Sequence, residues 1–167
     1  MKILATERLI LEKVVLEDAE FFIKLLNSPN WIKFIGDRSI TTIKESIAYI
    51  ENSLMSSYQQ NGYGLYKMCL RDSREPIGIC GFIKRDYLEN ADIGFAILPE
   101  FEGEGYTYEA ASATLVYGKT ELKLEKILAL TTKENKKSRY LLSKIGLTKI
   151  GSVKPNKGTV EFLLFSN

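Results

Sequence analysis

The clearest chemical signal in the sequence is a pair of glycines, Gly103 and Gly105, between an apolar run at 92–98 and a helical pattern that starts near Thr107. The first amides of a helix have no intrahelical partner, and the helix dipole adds partial positive charge there. A glycine turn at this point therefore suits an anion such as a pyrophosphate. The segment lacks the third glycine of a Rossmann fingerprint and the Gly-Lys-Ser/Thr of a P-loop. A plain turn without a ligand is the alternative.

The chain contains no histidine, which restricts its possible proton carriers. Ser-His-Asp and Cys-His catalytic sets and histidine-bound zinc or haem are excluded. Acid–base chemistry must use carboxylates, Tyr, Ser, Cys, Lys or water. Cys69 and Cys80 lie in apolar, strand-like runs and are too few for a disulfide framework or a zinc site. We therefore expect both cysteines in the core and no metal site.

Composition and charge favour a soluble protein of one domain, spanning residues 1–167. The chain is 45% hydrophobic and 26% charged, and its 23 Lys and Arg residues nearly balance 21 Asp and Glu residues. This balance argues against a nucleic-acid partner. No apolar run approaches the roughly 20 residues of a membrane span, and charges at Lys2, Glu7 and Arg8 argue against a signal peptide. We expect a cytoplasmic location without a membrane partner.

Apolar periodicity and turn signals predict the elements that position these residues. The predicted order is β-α-α-β-β-β-α-β-α-β-β, a mixed α/β domain. Asn27 opens a stretch, 27–39, that we expect to be an irregular loop. The strands at 64–70, 77–84 and 91–98 are apolar at both alternating sets of positions, so we expect these strands to be covered on both faces. Strands are predicted at 8–13, 64–70, 77–84, 91–98, 126–132, 148–154 and 159–165, and helices at 17–28, 41–61, 107–122 and 135–145.

Three segments together resemble the RimJ/RimL-like branch of the GNAT superfamily, the acetyl-CoA-dependent N-acetyltransferases. They are the opening Thr6-Glu7-Arg8-Leu9-Ile10-Leu11, the segment 93–110, and Asn135-Lys136-Lys137-Ser138 with Lys144-Ile145-Gly146-Leu147. The resemblance spans nearly the whole chain in matching element order. It implies a GNAT-like single α/β domain whose mixed, mostly antiparallel sheet has about seven strands. It also implies about four helices and a splayed pair of strands at the cofactor site.

The resemblance implies which residues bind acetyl-CoA as co-substrate. Backbone groups of Phe95 and Ile97 would pair with the pantetheine arm as though it were another strand. Asn135 would hydrogen-bond to the pantetheine, and Ser138 would lie near the thioester sulfur. The pyrophosphate would be bound by the amides of the glycine turn, which are those of Gly103, Glu104, Gly105, Tyr106 and Thr107.

A candidate general acid comes from the helix at 135–145. Asn135, Ser138 and Leu142 are spaced i, i+3 and i+7, so they share a helix face. Many GNAT members carry a tyrosine general acid at the position of Leu142, and Tyr140 points to another side of the helix. Ser138 is therefore the catalytic candidate that protonates or hydrogen-bonds the departing thiolate. A polar helix residue without this role is the alternative.

A general base is needed because only a neutral amine has the lone pair that attacks a thioester. Asp92 lies early on the predicted cofactor strand, at a family position that is usually acidic, and is our catalytic candidate. Glu161 is a weaker alternative. A structural carboxylate remains the other interpretation of Asp92.

The glycine turn departs from the family pattern in its charge. Glu102 and Glu104 stand where relatives often have Trp or basic residues. Carboxylates beside a pyrophosphate repel it, so we expect a reduced affinity for CoA unless the side chains point to solvent. Nearby cations could offset this repulsion or simply form a solvated face; they are Lys133, Lys136, Lys137 and Arg139.

The family pattern places the acceptor pocket beneath the loop between the first two helices, near Trp31, Phe34 and Asp37. The two aromatic residues could instead anchor this loop on the core. The leading function is transfer of acetyl from acetyl-CoA to a primary amine, either a protein N-terminus or a small amine, by direct attack in a ternary complex. The alternative is a catalytically weak or inactive CoA-binding regulatory domain. We expect a monomer or a homodimer.

Overall fold

The computed structural model describes residues 1–156 and 160–167, which form one eight-stranded sheet. The strands are β1 (Lys2–Ala5), β2 (Leu9–Glu12), β3 (Leu65–Leu70), β4 (Pro76–Ile83), β5 (Asp92–Ile97), β6 (Leu128–Thr131), β7 (Thr148–Val153) and β8 (Phe162–Ser166). Their order across the sheet is β1-β2-β3-β4-β5-β6-β8-β7. Only β5 and β6 pair in parallel among the described strands, which confirms a mixed, mostly antiparallel sheet.

Five helices cover the sheet in the described part of the chain. Helix α3 begins with Ile43–Tyr49, passes through a π-helical stretch, Ile50–Met55, and ends with Ser56–Asn61. The other helices are α1 (Ala19–Leu26), α2 (Pro29–Phe34), α4 (Tyr106–Thr120) and α5 (Lys136–Lys144).

The structure adds one strand and one helix to the predicted elements. Strand β1 is a short, half-exposed strand at the edge of the sheet. It is held by backbone pairing with β2, so its four residues show no clear apolar pattern in the sequence. Helix α2 corrects the prediction of an irregular loop, since Pro29 occupies the first helical turn, where its missing N–H is not needed. Six residues are too few to show a helical period. Thr159, the predicted start of the last strand, lies outside the described residues.

Two separate core clusters lie on the two faces of the sheet. Cys80 belongs to the cluster that includes α4 and α5, whereas its neighbour Ile79 packs with α1, α2 and α3. Because consecutive strand residues point to opposite faces, β4 is covered on both sides, as predicted. Cys69 and Cys80 are buried free thiols, which confirms the core prediction.

Strands β5 and β6 separate after a single paired position within the described residues, Asp92 with Leu128. The Leu98 amide donates to the Ile77 carbonyl at 2.8 Å, so the even-numbered residues of β5 bond to β4. By the alternation of an antiparallel ladder, the backbone groups of the odd-numbered residues, including Phe95 and Ile97, face the gap beside β6. The predicted splayed pair is therefore confirmed.

Candidate active site

A cavity of about 1070 Å³ occupies the gap between β5 and β6 and continues beneath α2 and α3. Two sets of residues face each other across it. We call the first the β5–α5 wall, which consists of Phe95, Ile97, Gly103, Gly105, Tyr106, Thr107, Asn135 and Ser138. We call the second the α2–α3 wall, which consists of Trp31, Lys33, Phe34, Arg38 and Tyr49.

Most of the residues chosen from the sequence border this one cavity. Asp92 lines it, and so do the predicted members of both walls. Among the residues predicted to bind acetyl-CoA or the acceptor, Asp37 and Glu104 do not line it. The exposed Asp37 carboxylate accepts the Ser39 amide at 2.7 Å within the loop after α2. Glu104 is exposed on the outer side of the glycine turn.

The glycine turn has the backbone geometry of an anion site. Gly103 and Gly105 have φ angles of +81° and +79°, which side-chain-bearing residues rarely adopt. Gly105 is the N-cap of α4, and its carbonyl accepts the Glu109 amide at 3.1 Å. The amides of the first turn, including Tyr106 and Thr107, precede the first helical hydrogen bond and can therefore bind an anion.

Arg8 fixes this turn from the N-terminal hairpin. Its Nη1 donates to the Glu104 carbonyl at 2.9 Å, its Nε donates to Glu109 Oε2 at 2.7 Å, and its guanidinium lies 4.5 Å from the centre of the Tyr106 ring. Partial burial raises the pKa of Glu109, but hydrogen bonds from Thr6 and Arg8 bring it below the ordinary value. We call Arg8 and Glu109 the loop clamp. Local spacing in the sequence gives no signal for this contact, because it joins residues about one hundred positions apart.

Helix α5 presents Ser138 to the cavity. Asn135 is the N-cap, and its Oδ1 accepts the Ser138 amide at 3.2 Å, which leaves the Asn135 Nδ2 group for a ligand. Leu142 is 1% exposed and packs in the core, so the family's tyrosine position is apolar here. Tyr140 also borders the cavity, but its side chain is 70% exposed.

Asp92 lies at the closed end of the gap, where β5 and β6 pair. It is 1% exposed, and Arg85 Nε donates to its Oδ1 at 2.8 Å. Burial raises the pKa of Asp92, and the Arg85 charge opposes part of this rise. Glu161 is exposed, accepts the Ser152 hydroxyl at 2.9 Å and does not line the cavity. Of the two carboxylates considered as a base, only Asp92 reaches the site.

Three buried polar atoms around the cavity have no hydrogen-bond partner among the described residues: Trp31 Nε1, Thr131 Oγ1 and Thr132 Oγ1. Thr131 ends β6 and Thr132 follows it, on the side of the gap opposite Phe95 and Ile97. Buried polar groups are nearly always paired, so these atoms mark positions where a ligand would supply the partner. The sequence carries no signal for the two threonines, because their unpaired state depends on the separation of β5 and β6.

Glu102 connects the glycine turn to both neighbouring helices. Its carboxylate accepts Lys137 Nζ at 2.9 Å and Asn30 Nδ2 at 2.6 Å. Lys136 and Lys137 border the cavity, whereas Lys133 and Arg139 do not. Lys137 thus pairs with Glu102, whereas an offset of loop charge by cations at the nucleotide phosphates stays a prediction. Glu104 is exposed and does not line the cavity.

The described residues contain neither a metal-binding cluster nor a membrane-spanning helix. No three or more Asp, Glu or Cys side chains there lie close enough together to hold a metal ion. None of the helices in this part of the chain has the length and apolar character needed to cross a membrane.

Comparison with known proteins decides the family. The model of the acetyltransferase (GNAT) domain matches residues 8–148. The chain belongs to the GNAT acetyltransferase family. This GNAT chain is 31% identical to the uncharacterized N-acetyltransferase YoaA of Bacillus subtilis, over 89% of this chain and 84% of that protein. It is 32% identical to the uncharacterized N-acetyltransferase p20 of Bacillus licheniformis, over 90% of this chain and 85% of that protein.

A solved structure shows the same fold. The ribosomal L7/L12 α-N-protein acetyltransferase RimL, in complex with coenzyme A, superposes with a TM-score of 0.84 at 16% identity. The alignment covers 100% of this chain and 97% of that one. The GNAT fold expected from the sequence is confirmed, and the chain is an acetyltransferase by family.

Proposed function

We propose that this GNAT enzyme transfers the acetyl group of acetyl-CoA to a primary amine, a protein N-terminus or a small amine, by direct attack in a ternary complex. One observation carries the proposal. The unpaired backbone edge of β5, at Phe95 and Ile97, leads along the cavity to the glycine turn at the start of α4. An extended amide-containing arm that ends in a pyrophosphate matches both parts at once.

The residues around the gap fit acetyl-CoA. Backbone groups of Phe95 and Ile97 would pair with the pantetheine amides, with Asn135 Nδ2 as a further donor. The unpartnered hydroxyls of Thr131 and Thr132 support this placement, since they border the same slot. The pyrophosphate would be bound by the amides of the turn, which are those of Gly103, Glu104, Gly105, Tyr106 and Thr107.

Ser138 is proposed as the group near the thioester sulfur. In the transfer, the amine nitrogen bonds to the acetyl carbon, the C–S bond breaks and CoA leaves as a thiolate. The Ser138 hydroxyl donates a hydrogen bond or a proton to this sulfur, and solvent restores the proton. The apolar Leu142 beside it offers no alternative donor.

Asp92 is proposed as the base that removes a proton from the amine, directly or through water. Burial raises its pKa above the ordinary value of an aspartate, which makes the carboxylate a better proton acceptor than an exposed one. Arg85 orients the carboxylate by its hydrogen bond, and its charge opposes part of this rise. Trp31 and Phe34 in the α2–α3 wall would bound the acceptor.

The proposal extends to the broader assignment of the chain. Residues 1–167 would form one acetyltransferase domain of the RimJ/RimL-like branch, active in the cytoplasm as a monomer or homodimer without nucleic-acid or membrane partners. The likeness to RimL and the family match over residues 8–148 support this. Relatives named N-acetyltransferases favour an active enzyme over the weak or inactive CoA-binding domain.

A combined binding and turnover experiment tests the proposal. Acetyl-CoA should raise the melting temperature, and release of free thiol should require both acetyl-CoA and an amine. Ser138→Ala should slow thiol release, whereas Ser143→Ala, an exposed serine on the same helix outside the cavity, should not. No thermal shift at saturating acetyl-CoA would reject the cofactor assignment, and equal rates for the two serine variants would reject the role of Ser138.

A further inference from the structure

The α2–α3 wall carries positive charge that the described protein does not neutralise. Lys33 and Arg38 border the cavity and form no ion pair with any described residue. Lys33 Nζ lies 5.0 Å from the centre of the Phe34 ring. Burial raises the pKa of the Tyr49 hydroxyl, and the positive charge of Arg38 opposes part of this rise.

The neighbouring hairpin between β4 and β5 lines the cavity with Lys84, Arg85 and Tyr87, whereas its own carboxylates, Asp86 and Glu89, do not line it. Lys84 Nζ donates to the carbonyls of Leu88 and Glu89, at 3.2 and 2.8 Å. Three carboxylates line the described cavity: Arg85 binds Asp92, Lys137 binds Glu102, and Glu134 immediately precedes the Asn135 N-cap of α5, on the β5–α5 side. None of them belongs to the α2–α3 wall, so a second ammonium held at that wall would meet Lys33 and Arg38.

Trp31 adds an independent indication of the ligand. Its side chain is 4% exposed, it borders the cavity, and its Nε1 donor has no acceptor among the described residues. An indole N–H can only donate, so the missing partner must be an acceptor atom such as an anionic oxygen. Trp31, Lys33 and Arg38 all line the same cavity, so the unpaired donor and the two cations face the same ligand space.

We propose that the amine acceptor carries an anionic group, a carboxylate or a phosphate, near its amine, and that Arg38, Lys33 and Trp31 Nε1 bind this group. The proposal rests on the acetyl-transfer function above and specifies its substrate class. The same cations serve the chemistry, because a nearby positive charge lowers the pKa of a bound ammonium and so increases the fraction of neutral, attacking amine. Polyamines and aminoglycosides are disfavoured.

The test uses four small amines that differ mainly in charge: β-alanine, O-phosphoethanolamine, propylamine and 1,3-diaminopropane. With acetyl-CoA, kcat/KM for thiol release should be at least about tenfold higher for β-alanine or O-phosphoethanolamine than for propylamine, as for a charge-assisted hydrogen bond. The diamine should be the poorest. Tripeptide amides with Asp, Asn or Lys at the second position then distinguish a peptide acceptor from a free metabolite.

Substitutions test whether the α2–α3 wall causes the selectivity for anionic amines. Arg38→Gln should reduce the β-alanine to propylamine ratio about tenfold. Lys44→Gln removes an exposed cation on α3 that does not line the cavity, and it should leave this ratio unchanged. Equal kcat/KM values for anionic, neutral and cationic amines, or an unchanged ratio in Arg38→Gln, would overturn the proposal.

A binding measurement keeps the charge proposal separate from the transfer reaction. Trp31 is the single tryptophan of the chain, so its fluorescence reports on this wall. If no amine supports thiol release, the proposed function fails, and titration with the four amines in the presence of CoA still tests the inference. Tighter binding of the two anionic amines, lost in Arg38→Gln, would support it, and charge-independent binding would overturn it.

Discussion

The two walls of the cavity differ in the atoms that they offer to a ligand. The β5–α5 wall presents mainly backbone groups, from the free edge of β5 and the glycine turn, and the loop clamp of Arg8 and Glu109 fixes that turn. The α2–α3 wall presents side chains: an unpaired indole donor, free cations and aromatic rings. Binding by backbone groups survives changes of side chain, whereas binding by side chains changes its specificity when those residues change. This difference suits a constant acetyl donor and a variable acceptor.

The largest expected effect follows from filling the glycine turn. Gly105→Trp should abolish acetyl-CoA binding, measured as loss of the thermal shift, because the side chain enters the anion site. Gly62→Trp is the matched control, since Gly62 also has a positive φ, +76°, but lies outside the cavity. Both variants carry the cost of a left-handed residue, about 1–2 kcal/mol. Retained binding in Gly105→Trp would place the cofactor elsewhere.

Asp92→Asn should separate chemistry from cofactor binding. We expect kcat to fall about 100- to 1000-fold, as for loss of a general base, while the Kd for acetyl-CoA changes little. Glu161→Gln is the control, because its carboxylate lies outside the cavity. A weakened Kd with an unchanged kcat would instead identify Asp92 as a structural carboxylate.

The loop clamp gives a prediction about preorganisation. Arg8→Gln should raise the Kd for acetyl-CoA about tenfold, because the glycine turn loses its fixed conformation, while the KM for the amine stays unchanged. Arg74→Gln is the control, because it also removes an exposed arginine, whose ion-pair partner is Glu12 and not a residue of the glycine turn or of α4. If both variants bind acetyl-CoA like the wild type, the clamp only joins the hairpin to α4.

The pH dependence of kcat/KM tests how the ion pair of Arg85 with Asp92 sets the pKa of the proposed base. Burial already raises the pKa of Asp92, and removing the Arg85 charge should raise it further. Because the base acts when deprotonated, the acidic limb of kcat/KM for Arg85→Gln should move to higher pH. Measurements with the same amine across pH check this, and a shift to lower pH would contradict the assignment of Asp92 as the base.

The smallest effect concerns charge in the glycine turn. Glu102→Gln should tighten CoA binding about threefold, because it removes a carboxylate that borders the cavity and releases Lys137. Glu104→Gln, whose side chain is exposed outside the cavity, should change the Kd less. Calorimetric titration at low and high salt compares the two variants. A larger gain in CoA affinity from Glu104→Gln than from Glu102→Gln would contradict the inference that Glu102 is the carboxylate nearer to the bound cofactor.

The fold was largely predictable from the sequence, and the site only in part. Long periodic segments such as α4 and strands β3 to β5 carry their own signal, whereas β1 and α2 are too short for one. Local spacing in the sequence was enough to predict the glycine turn and the helix face that Asn135 shares with Ser138. The loop clamp, the unpaired Thr131 and Thr132, and the ion pair of Asp92 with Arg85 depend on contacts that spacing does not encode.

By itself, the sequence determined the chemical inventory: no imidazole, a glycine turn before a helix, Ser138 one turn after Asn135, and leucine in place of the family's tyrosine. These properties are local and independent of packing. Only the tertiary structure decided which groups meet. It separated β5 from β6 beyond Asp92, buried that carboxylate against Arg85, and left Trp31 Nε1 unpaired beside free cations. Pairing, burial and charge balance arise when distant segments pack together, so they belong to the folded molecule.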